Sequence, residues 1–443
     1  EALVRAAMAA IRSRIRYTGV EFGRQSIIPH PIASTLQRGY GDCKDQALLL
    51  VQILGELGVE ANLALLRAGL GPDVSAEMPG LELFNHAIVH VPGEPALWID
   101  PTSPYTDVGE LPLGVQGRLA LLARTDTAGL TPTPTAQSAD NLYREVRSFA
   151  LPAEGNAAVR ESTLASGWIG ASLRHNYLDT DDEAVGQHLG QYVDDMYAPR
   201  ALVSWELSGV RDAAEPFRIE LQLDGAATGY ASGADASVLA DPRVALGWLP
   251  EPVNLLPHEG GGSLSDRTEP LAAPRHRAEV VYRVAIADGY VARPLPPSQS
   301  LTFGPVSLDE RYALLGDGGV EATFVLDTGD GVMQPADAEG LRLAVADLQR
   351  RSPIAIEFDQ LGEIHLAHGR IAEAIGAYDD LIEANPETAL YRSLRAAAML
   401  PAGFGEAARE QARRAVEIDP DSPSAWRYLG YVLMHDIYGR ELR

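Results

Sequence analysis

Residues 38–47 read RGYGDCKDQA, and they place Cys43 between a glycine-bearing loop and the apolar run at 44–57. That run, KDQALLLVQILGEL, predicts a helix, so Cys43 lies where the helix begins. The N–H groups and the dipole at a helix N-terminus favour an anion, which stabilises a thiolate. Gly39 and Gly41 allow the chain to turn sharply and leave the sulfur uncovered. The stretch therefore predicts a reactive thiol at the start of a helix.

Short elements on both sides of this helix predict an α+β domain over residues 1–125. Before the helix, residues 1–16 repeat apolar side chains at helical spacing. After it, the segments 60–66, 87–91 and 96–99 are short and apolar, as buried strands are. A helical start followed by a compact sheet is typical of an α+β fold.

A histidine and an aspartate stand at the ends of two of these strands. His86 opens one strand after a loop, and Asp100 closes the next strand before Pro101. Two adjacent antiparallel strands bring such residues side by side, above the helix that presents Cys43. Each residue alone is typical of a structural role. With Cys43 they make up the three residue types, a thiol, an imidazole and a carboxylate, that thiol catalysis uses.

Two residue types occur once each, and they are adjacent in the chain. Cys43 is the only cysteine, so an internal disulfide is excluded. Lys44 is the only lysine; apart from histidine, every other basic side chain is an arginine. We expect Lys44 to be a solvated residue of the first helical turn.

Three motifs carry a family resemblance: RGYGDCKDQALLL, FNHAIVHV and LWIDPTSPY, which start at residues 38, 84 and 97. In this order they resemble the transglutaminase-like core of the papain-like thiol superfamily, over about residues 1–125. The resemblance implies that Cys43 is the nucleophile, that His86 takes its proton and that Asp100 orients the imidazole. When its later parts are included, the whole chain is similar to bacterial proteins that combine this core with β-sandwich and repeat domains.

An acyl intermediate also needs hydrogen-bond donors for its oxyanion. The backbone N–H of Cys43 is one natural donor. The animal enzymes of the superfamily use an upstream aromatic residue as the second, and Tyr17 is the best match here, with Gln25 as the alternative. The resemblance implies no metal and no other cofactor.

The middle of the chain predicts a change of architecture. Residues 126–140 include the run TPTPT, which favours extended backbone and is typical of a linker. Residues 141–345 mostly alternate apolar and polar side chains between Gly, Pro and Asp turns. They predict an antiparallel, sandwich-like β domain, with one helix at 182–197.

The last part of the chain, residues 353–443, resembles tetratricopeptide repeats. A large residue, Leu-Gly, Ala, an aromatic residue and Pro follow at the family's spacing and return after its period of about 34 residues; the set is Phe358, Leu361, Gly362, Ala374, Tyr378 and Pro386, then Ala408, Pro420, Trp426 and Leu429. We expect an all-α tail with helices at 354–367, 371–384, 388–400, 405–417 and 424–437. The third repeat is incomplete, so an apolar strip near Leu433 and Ile437 should be exposed.

Charge and composition limit the partners. The formal net charge of −25 argues against nucleic acid and against an anionic membrane surface, since both need a basic protein face. No apolar run is long enough to span a bilayer. The expected partners are a protein or peptide substrate and a further protein bound by the repeat tail.

The leading function is a thiol enzyme that acts on peptide or glutamine amide bonds through an acyl-enzyme. Hydrolysis is favoured over cross-linking, because a chain with a single lysine offers hardly any amine of its own. The alternative is a non-catalytic scaffold that binds peptides or proteins through the repeat tail.

Overall fold

The computed structural model of the chain describes residues 1–19, 23–77, 80–197, 202–254, 264 and 266–442. The chain is a multidomain protein of mixed α and β structure that ends in a series of helices. Among the described residues, no helix combines the length and the apolar composition needed to cross a lipid bilayer.

The N-terminal unit packs helices on a five-stranded sheet. The helices are α1 (Ala2–Arg12), α2 (Ile32–Arg38) and α3 (Cys43–Glu56); the strands are β1 (Arg16–Tyr17), β2 (Tyr40–Gly41), β3 (Asn62–Leu66), β4 (His86–Val91), β5 (Leu97–Ile99), β6 (Leu119–Leu122) and β7 (Thr131–Pro132). The sheet order is β5-β4-β3-β6-β7 with antiparallel neighbours, and β1 and β2 form a separate parallel pair. The predicted helix at 44–57 and the three predicted strands agree with α3, β3, β4 and β5 to within two residues.

The core of this unit explains how α3 is held. Met8 and Ile11 of α1 and Leu50 of α3 are buried in one apolar cluster with Ala87 and Val89 of β4. Burial of a Met, Ile, Leu or Val side chain stabilises the fold by about 1.5–3 kcal/mol. The helix that begins at Cys43 is therefore fixed both to α1 and to the strand that begins at His86.

Part of the predicted linker belongs to this sheet. β7 lies inside residues 126–140 and pairs with β6. Next to it, the buried Thr133 hydroxyl donates a hydrogen bond to the Val115 carbonyl at 2.7 Å. The stretch is extended, as the Thr-Pro composition predicts, but it is docked on the domain.

The middle region, residues 141–360, is built on an eleven-stranded sheet. Its strands are β8 (Leu142–Leu151), β9 (Gly155–Ala165), β10 (Leu202–Ser208), β11 (Phe217–Ala231), β12 (Asp235–Ala240), β14 (Arg277–Ile286), β15 (Tyr290–Ala292), β16 (Gln299–Phe303), β17 (Val306–Leu314), β18 (Val320–Asp327) and β20 (Ile354–Gln360); β13 (Leu271–Ala272) and β19 (Val332–Met333) form a separate pair. The order is β15-β20-β12-β11-β9-β8-β14-β18-β17-β16, with β10 beside β11. Neighbours are antiparallel except for β8 and β14, which are parallel.

The middle region contains more helix than the sequence predicts. The helix expected at 182–197 is present as α5 (Asp182–Tyr197). The structure adds α4 (Gly167–Tyr177), α6 (Arg243–Leu246), α7 (Glu251–Asn254) and α8 (Pro335–Arg351). The sequence of α8 carried a readable signal, since Pro335 lies in its first turn and Leu341, Val345 and Leu348 are buried at helical spacing.

The helix predicted at 354–367 is wrong in its first half. Residues Ile354–Gln360 form β20, which lies between β12 and β15. Ile354, Ile356 and Phe358 are buried at a period of two, the signature of a strand. The sheet therefore continues past the limit predicted at residue 345, and Phe358 is not a helical equivalent of Trp426.

The C-terminal helices are α9 (Leu361–Ala367), α10 (Ile371–Ala384), α11 (Ala389–Met399), α12 (Gly405–Ile418) and α13 (Pro423–Leu433). Consecutive helices are connected by short turns and pack on one another. Two of the repeat positions meet, since Tyr378 packs on Gly362, where an added Cβ atom would lie 2.3 Å from the Tyr378 Cζ atom. The Tyr378 hydroxyl donates to Glu363 at 2.8 Å.

The helix predicted at 424–437 ends at Leu433, and apolar side chains are exposed at its end and in the residues that follow. Leu433 and Ile437 are both exposed, in agreement with the sequence. Leu429 packs on the buried apolar cluster of α11 and α12, whereas Trp426 is 55% exposed, and its indole N–H donates to the Pro420 carbonyl at 2.8 Å.

Candidate active site

Cys43 is the first residue of α3, where two aspartates cap the helix. The Asp42 carboxylate accepts the backbone N–H of Asp45 at 3.1 Å, and the Asp45 carboxylate accepts that of Asp42 at 3.4 Å. Gly39 ends α2 with φ +69°, which a glycine adopts without strain. Gly41 is needed for space instead, because an added Cβ atom would lie 2.7 Å from the Asp45 Cβ atom.

Cys43 and Lys44 are less exposed than the sequence predicts. Cys43 is 5% exposed, because it joins the cluster of α1, α3 and β4. Lys44 is 8% exposed, and its ammonium group donates to the Asp42 carboxylate. The prediction of an uncovered sulfur and of a solvated lysine is therefore wrong. The packing of α1 and Ile32 covers Cys43, and Lys44 is paired with Asp42.

Asp45 links the start of α3 to the preceding loop. Its carboxylate accepts the His30 N–H at 2.6 Å and lies 3.0 Å from His30 Nδ1 and 3.6 Å from the Arg38 guanidinium. The side chain is fully buried. Because a buried carboxylate needs such partners, Asp45 fixes the loop that leads into Cys43.

His86 and Asp100 lie side by side, as the strand order predicts. His86 Nε2 is 2.9 Å from an Asp100 carboxylate oxygen. The other carboxylate oxygen accepts two hydrogen bonds from Thr102, from its backbone N–H at 2.9 Å and from its hydroxyl at 2.6 Å. Burial alone would raise the pKa of Asp100, but the hydrogen bonds from His86 and Thr102 lower it overall. Asp100 is therefore an anion held in one orientation.

The His86 imidazole is hydrogen-bonded to Asp100 and lies near enough to the Cys43 thiol for the two groups to interact. Burial opposes the charged imidazole, but hydrogen bonds and charge interactions with Asp100 and Cys43 outweigh it and raise the pKa of His86 to about 10. A protonated imidazole between a carboxylate and a sulfur stabilises a thiolate. The geometry can thus support a nucleophilic thiolate with an adjacent acid.

The two oxyanion candidates lie before α3. Tyr17 is in β1, whose pairing with β2 places it opposite Gly41, two residues before Cys43. Gln25 is partly buried in a short 3-10 turn, Gly23–Ser26, which follows residues outside the described part of the chain. The Cys43 N–H, in the first turn of α3, has no acceptor within the helix. The role of Tyr17 and Gln25 stays a prediction.

Several residues of the site were not predicted. Thr102 and the Asp42–Asp45 box had local signals, because Asp-Pro-Thr is typical of a side-chain turn and Asp-x-x-Asp has the spacing of a capping box. His30 had no local sequence signal, since its contact with Asp45 depends on the path of the intervening loop. Within the described ranges, no group of three or more His, Cys, Asp and Glu side chains is arranged to hold a metal ion.

Comparison with known proteins gives few matches. No protein-family model matches the sequence, and no curated protein does. One similar solved structure is the 2.00 Å crystal structure of a "putative protease" from Parabacteroides distasonis ATCC 8503, with a TM-score of 0.45 and 12% sequence identity. The similarity covers 80% of this chain and 51% of that one, so this chain spans about half the length of its match. At this level of similarity, nothing about function passes from one chain to the other.

Proposed function

We propose that this chain is a transglutaminase-like cysteine enzyme that cleaves peptide or glutamine amide bonds through Cys43, His86 and Asp100. The observation that carries the proposal is that one imidazole is hydrogen-bonded to a buried carboxylate, at 2.9 Å, and interacts with the only thiol of the chain. The position of that thiol at the start of a capped helix adds to it, since the helix dipole favours an anion there.

The residues support an acyl-enzyme mechanism. The Cys43 thiolate attacks the amide carbon, and the Cys43 N–H, with Tyr17 or Gln25, donates to the oxyanion. The C–N bond then breaks as the protonated His86 gives its proton to the leaving amine, which leaves a thioester on Cys43. His86 next takes a proton from water, whose oxygen attacks the thioester. The carboxylic acid is released, and the thiolate–imidazolium pair returns. Asp100 orients His86 throughout.

Hydrolysis is favoured over transfer to a protein amine. The only lysine, Lys44, is buried and paired with Asp42, so the chain offers no free lysine of its own as an acceptor. This favours a peptidase or amidase over self-cross-linking, while an amine from another molecule would still give a transferase.

The architecture fits the same proposal. We interpret the N-terminal unit as a transglutaminase-like core, the middle region as a β-rich domain and the α9–α13 helices as tetratricopeptide-type repeats. The packing of Tyr378 on Gly362 supports the repeat assignment. A groove of about 460 Å³ between the C-terminal helices supports a second role, binding of a peptide or partner protein; it is lined by Glu363, Leu366, Gly369, Ile371, Ala397, Pro401, Tyr428 and Tyr431.

Alkylation of the single thiol tests the enzyme proposal, because every alkylated cysteine, located by peptide mass spectrometry, is Cys43. Iodoacetamide should modify the wild-type protein at pH 6 at least about tenfold faster than His86→Ala, since an ordinary thiol with a pKa near 8.5 is protonated there. His90→Gln is the matched control, because His90 lies on the same strand and stacks on Trp98 instead. Equal rates in the wild type and His86→Ala would refute the catalytic pair.

A further inference from the structure

The loop that begins at Asp100 is held by α1 on one side. Arg12 donates from its guanidinium to the Ser103 carbonyl at 2.5 Å and to the Thr106 carbonyl at 2.7 Å. Arg5 forms a two-pronged ion pair with Asp107, at 3.0 and 2.6 Å. These bonds fix residues 103–107 to the N-terminal unit itself.

The same loop is held on its other side by α4 of the middle region. Arg174 is 2% exposed and donates to three backbone carbonyls, one in the 100–107 loop and two in the loop between β10 and β11. One is Tyr105 of the loop, at 3.1 Å, and the others are Gly209, at 2.7 Å, and Glu215. A guanidinium with its donors in a rigid fork is suited to joining three chain segments at one point.

The next residue of α4 holds the side chain of the same tyrosine. His175 Nδ1 lies 2.8 Å from the Tyr105 hydroxyl, and the two rings meet edge to face with centroids 5.1 Å apart. Arg174 and His175 thus hold the backbone and the side chain of Tyr105 together. Both residues belong to α4, so the middle region contacts the loop of the candidate triad directly.

We infer that Arg174 and His175 are positioning residues for the Cys43–His86–Asp100 site, and that the middle region is part of its assembly. This rests on the proposed function. Only four residues lie between Asp100 and Tyr105, and two of them, Pro101 and Pro104, restrict the backbone. A displacement at Tyr105 is therefore transmitted to the Asp100 carboxylate, and shifts of about 1 Å in a catalytic group cost up to 10²-fold in rate.

Because charged groups surround the triad, the test must separate a loss of electrostatic support for the thiolate from a change in thiol exposure. His86 faces Asp100 and Cys43, while Asp100 faces His86, Thr102 and, at longer range, Arg12. A displaced Asp100 weakens the imidazolium and hence the thiolate at acidic pH only. At pH 9.5 an ordinary thiol with a pKa near 8.5 is already ionised, so the rate there reports exposure alone.

The experiment measures the iodoacetamide rate of Cys43 in the full chain at pH 6 and at pH 9.5. We expect His175→Ala and Tyr105→Phe each to lower the pH 6 rate about threefold, and Arg174→Met about tenfold, with rates within about 1.5-fold of the wild type at pH 9.5. His175→Ala and Tyr105→Phe should not add in the double variant, because both remove one interaction. Arg174→Lys, which keeps the charge and the donors, should restore part of the rate.

The matched control is His188→Ala. It removes another His–Tyr contact of the middle region, between His188 Nδ1 and the Tyr177 hydroxyl at 3.2 Å, which does not include the 100–107 loop. It should leave both rates unchanged.

The outcomes separate the inference from the proposed function. A fast wild-type reaction at pH 6 with no change in His175→Ala and Tyr105→Phe overturns the positioning role but not the triad. Equal losses at both pH values overturn it too, since they indicate altered exposure. If the wild type itself reacts as an ordinary thiol, both proposals fail. If circular dichroism shows that Arg174→Met does not fold, the rates of His175→Ala and Tyr105→Phe decide whether the positioning role holds.

Discussion

The candidate active site and a buried cluster in the middle region both remove charges from water, but they do so differently. In the cluster, every carboxylate oxygen has a donor: Arg147 and Tyr143 donate to Glu145, and Tyr192 and Tyr197 donate to Glu161. Arg147 also donates to Tyr282 and Tyr192, so the network closes on itself. In the candidate site, the network ends at a thiol that begins a helix.

Burial raises the pKa of both carboxylates, but the net shifts have opposite directions. Burial, then repulsion from Glu145, raises the pKa of Glu161 to about 7, although Arg147 and two tyrosines oppose this. At Asp100, bonds from His86 and Thr102 outweigh burial and lower the pKa. Burial of charge is thus not by itself a sign of catalysis. A reactive group left at the end of the network is the distinguishing feature.

The largest difference expected between the regions concerns activity. Cys43→Ala and His86→Ala should each reduce hydrolysis of a glutamine-containing peptide to below about a thousandth of the wild-type rate, because the nucleophile or its base is lost. The products, ammonia or cleaved peptide, are measured by mass spectrometry. Circular dichroism should show an intact fold. A fully active Cys43→Ala protein would end the proposal.

Loss of the third member should be milder. Asp100→Asn keeps the geometry but weakens the imidazolium, and we expect its effect to be about a hundredfold less severe than loss of the nucleophile. The measurement is kcat with the same peptide. An effect as large as that of Cys43→Ala would indicate that Asp100 holds the local fold together.

In the buried cluster, the corresponding substitution should lower the stability of the fold instead of an activity. Arg147→Met leaves buried carboxylates without their counter-charge and should lower the free energy of unfolding by about 3–5 kcal/mol. Urea unfolding measures this. Arg311→Met removes an exposed pair with Asp309 and should cost less than about 1 kcal/mol. The alkylation rate of Cys43 in folded Arg147→Met protein should match the wild type; a large change would contradict the separation of the two regions.

The pH dependence of stability should separate the regions into two windows. Because the folded pKa of Glu161 lies above its ordinary value of 4.5, the folded state binds the extra proton, and stability falls as pH rises from about 4.5 to about 7. The raised pKa of His86 contributes stability below its ordinary value of 6.5 that is lost as pH rises through about 10. Urea unfolding across pH should lose the first slope in Glu161→Gln and the second in His86→Ala. Unchanged slopes would contradict the assignment.

The smallest expected effect lies in the C-terminal helices. Gly362→Ala would force a Cβ atom against the Tyr378 ring, so we expect a loss of about 1–3 kcal/mol. Gly376→Ala in α10 is the matched control, because its Cβ would meet no atom within 4 Å, and helix propensity predicts a gain of about 0.5–1 kcal/mol. Thermal unfolding compares the two. A neutral Gly362→Ala would show that this helix contact is not tightly packed.

The sequence by itself determined the elements whose signals are local. The apolar run after Cys43, the short strands that follow and the α5 helix were readable because period and end residues lie within a few positions of each other. The proximity of His86 and Asp100 was also predictable, since adjacent antiparallel strands must bring their ends together. The helices α10 to α12 followed from the repeat spacing.

Only the tertiary structure decided the features that join distant segments. β20 has a period of two within its own sequence, but its place between β12 and β15 depends on strands more than 60 residues earlier in the chain. The burial of Cys43 depends on packing against α1, and the bond from Arg174 to the Tyr105 carbonyl connects the middle region to the N-terminal unit. Such contacts have no local signature, because the free energy that forms them comes from surfaces that meet only after the chain has folded.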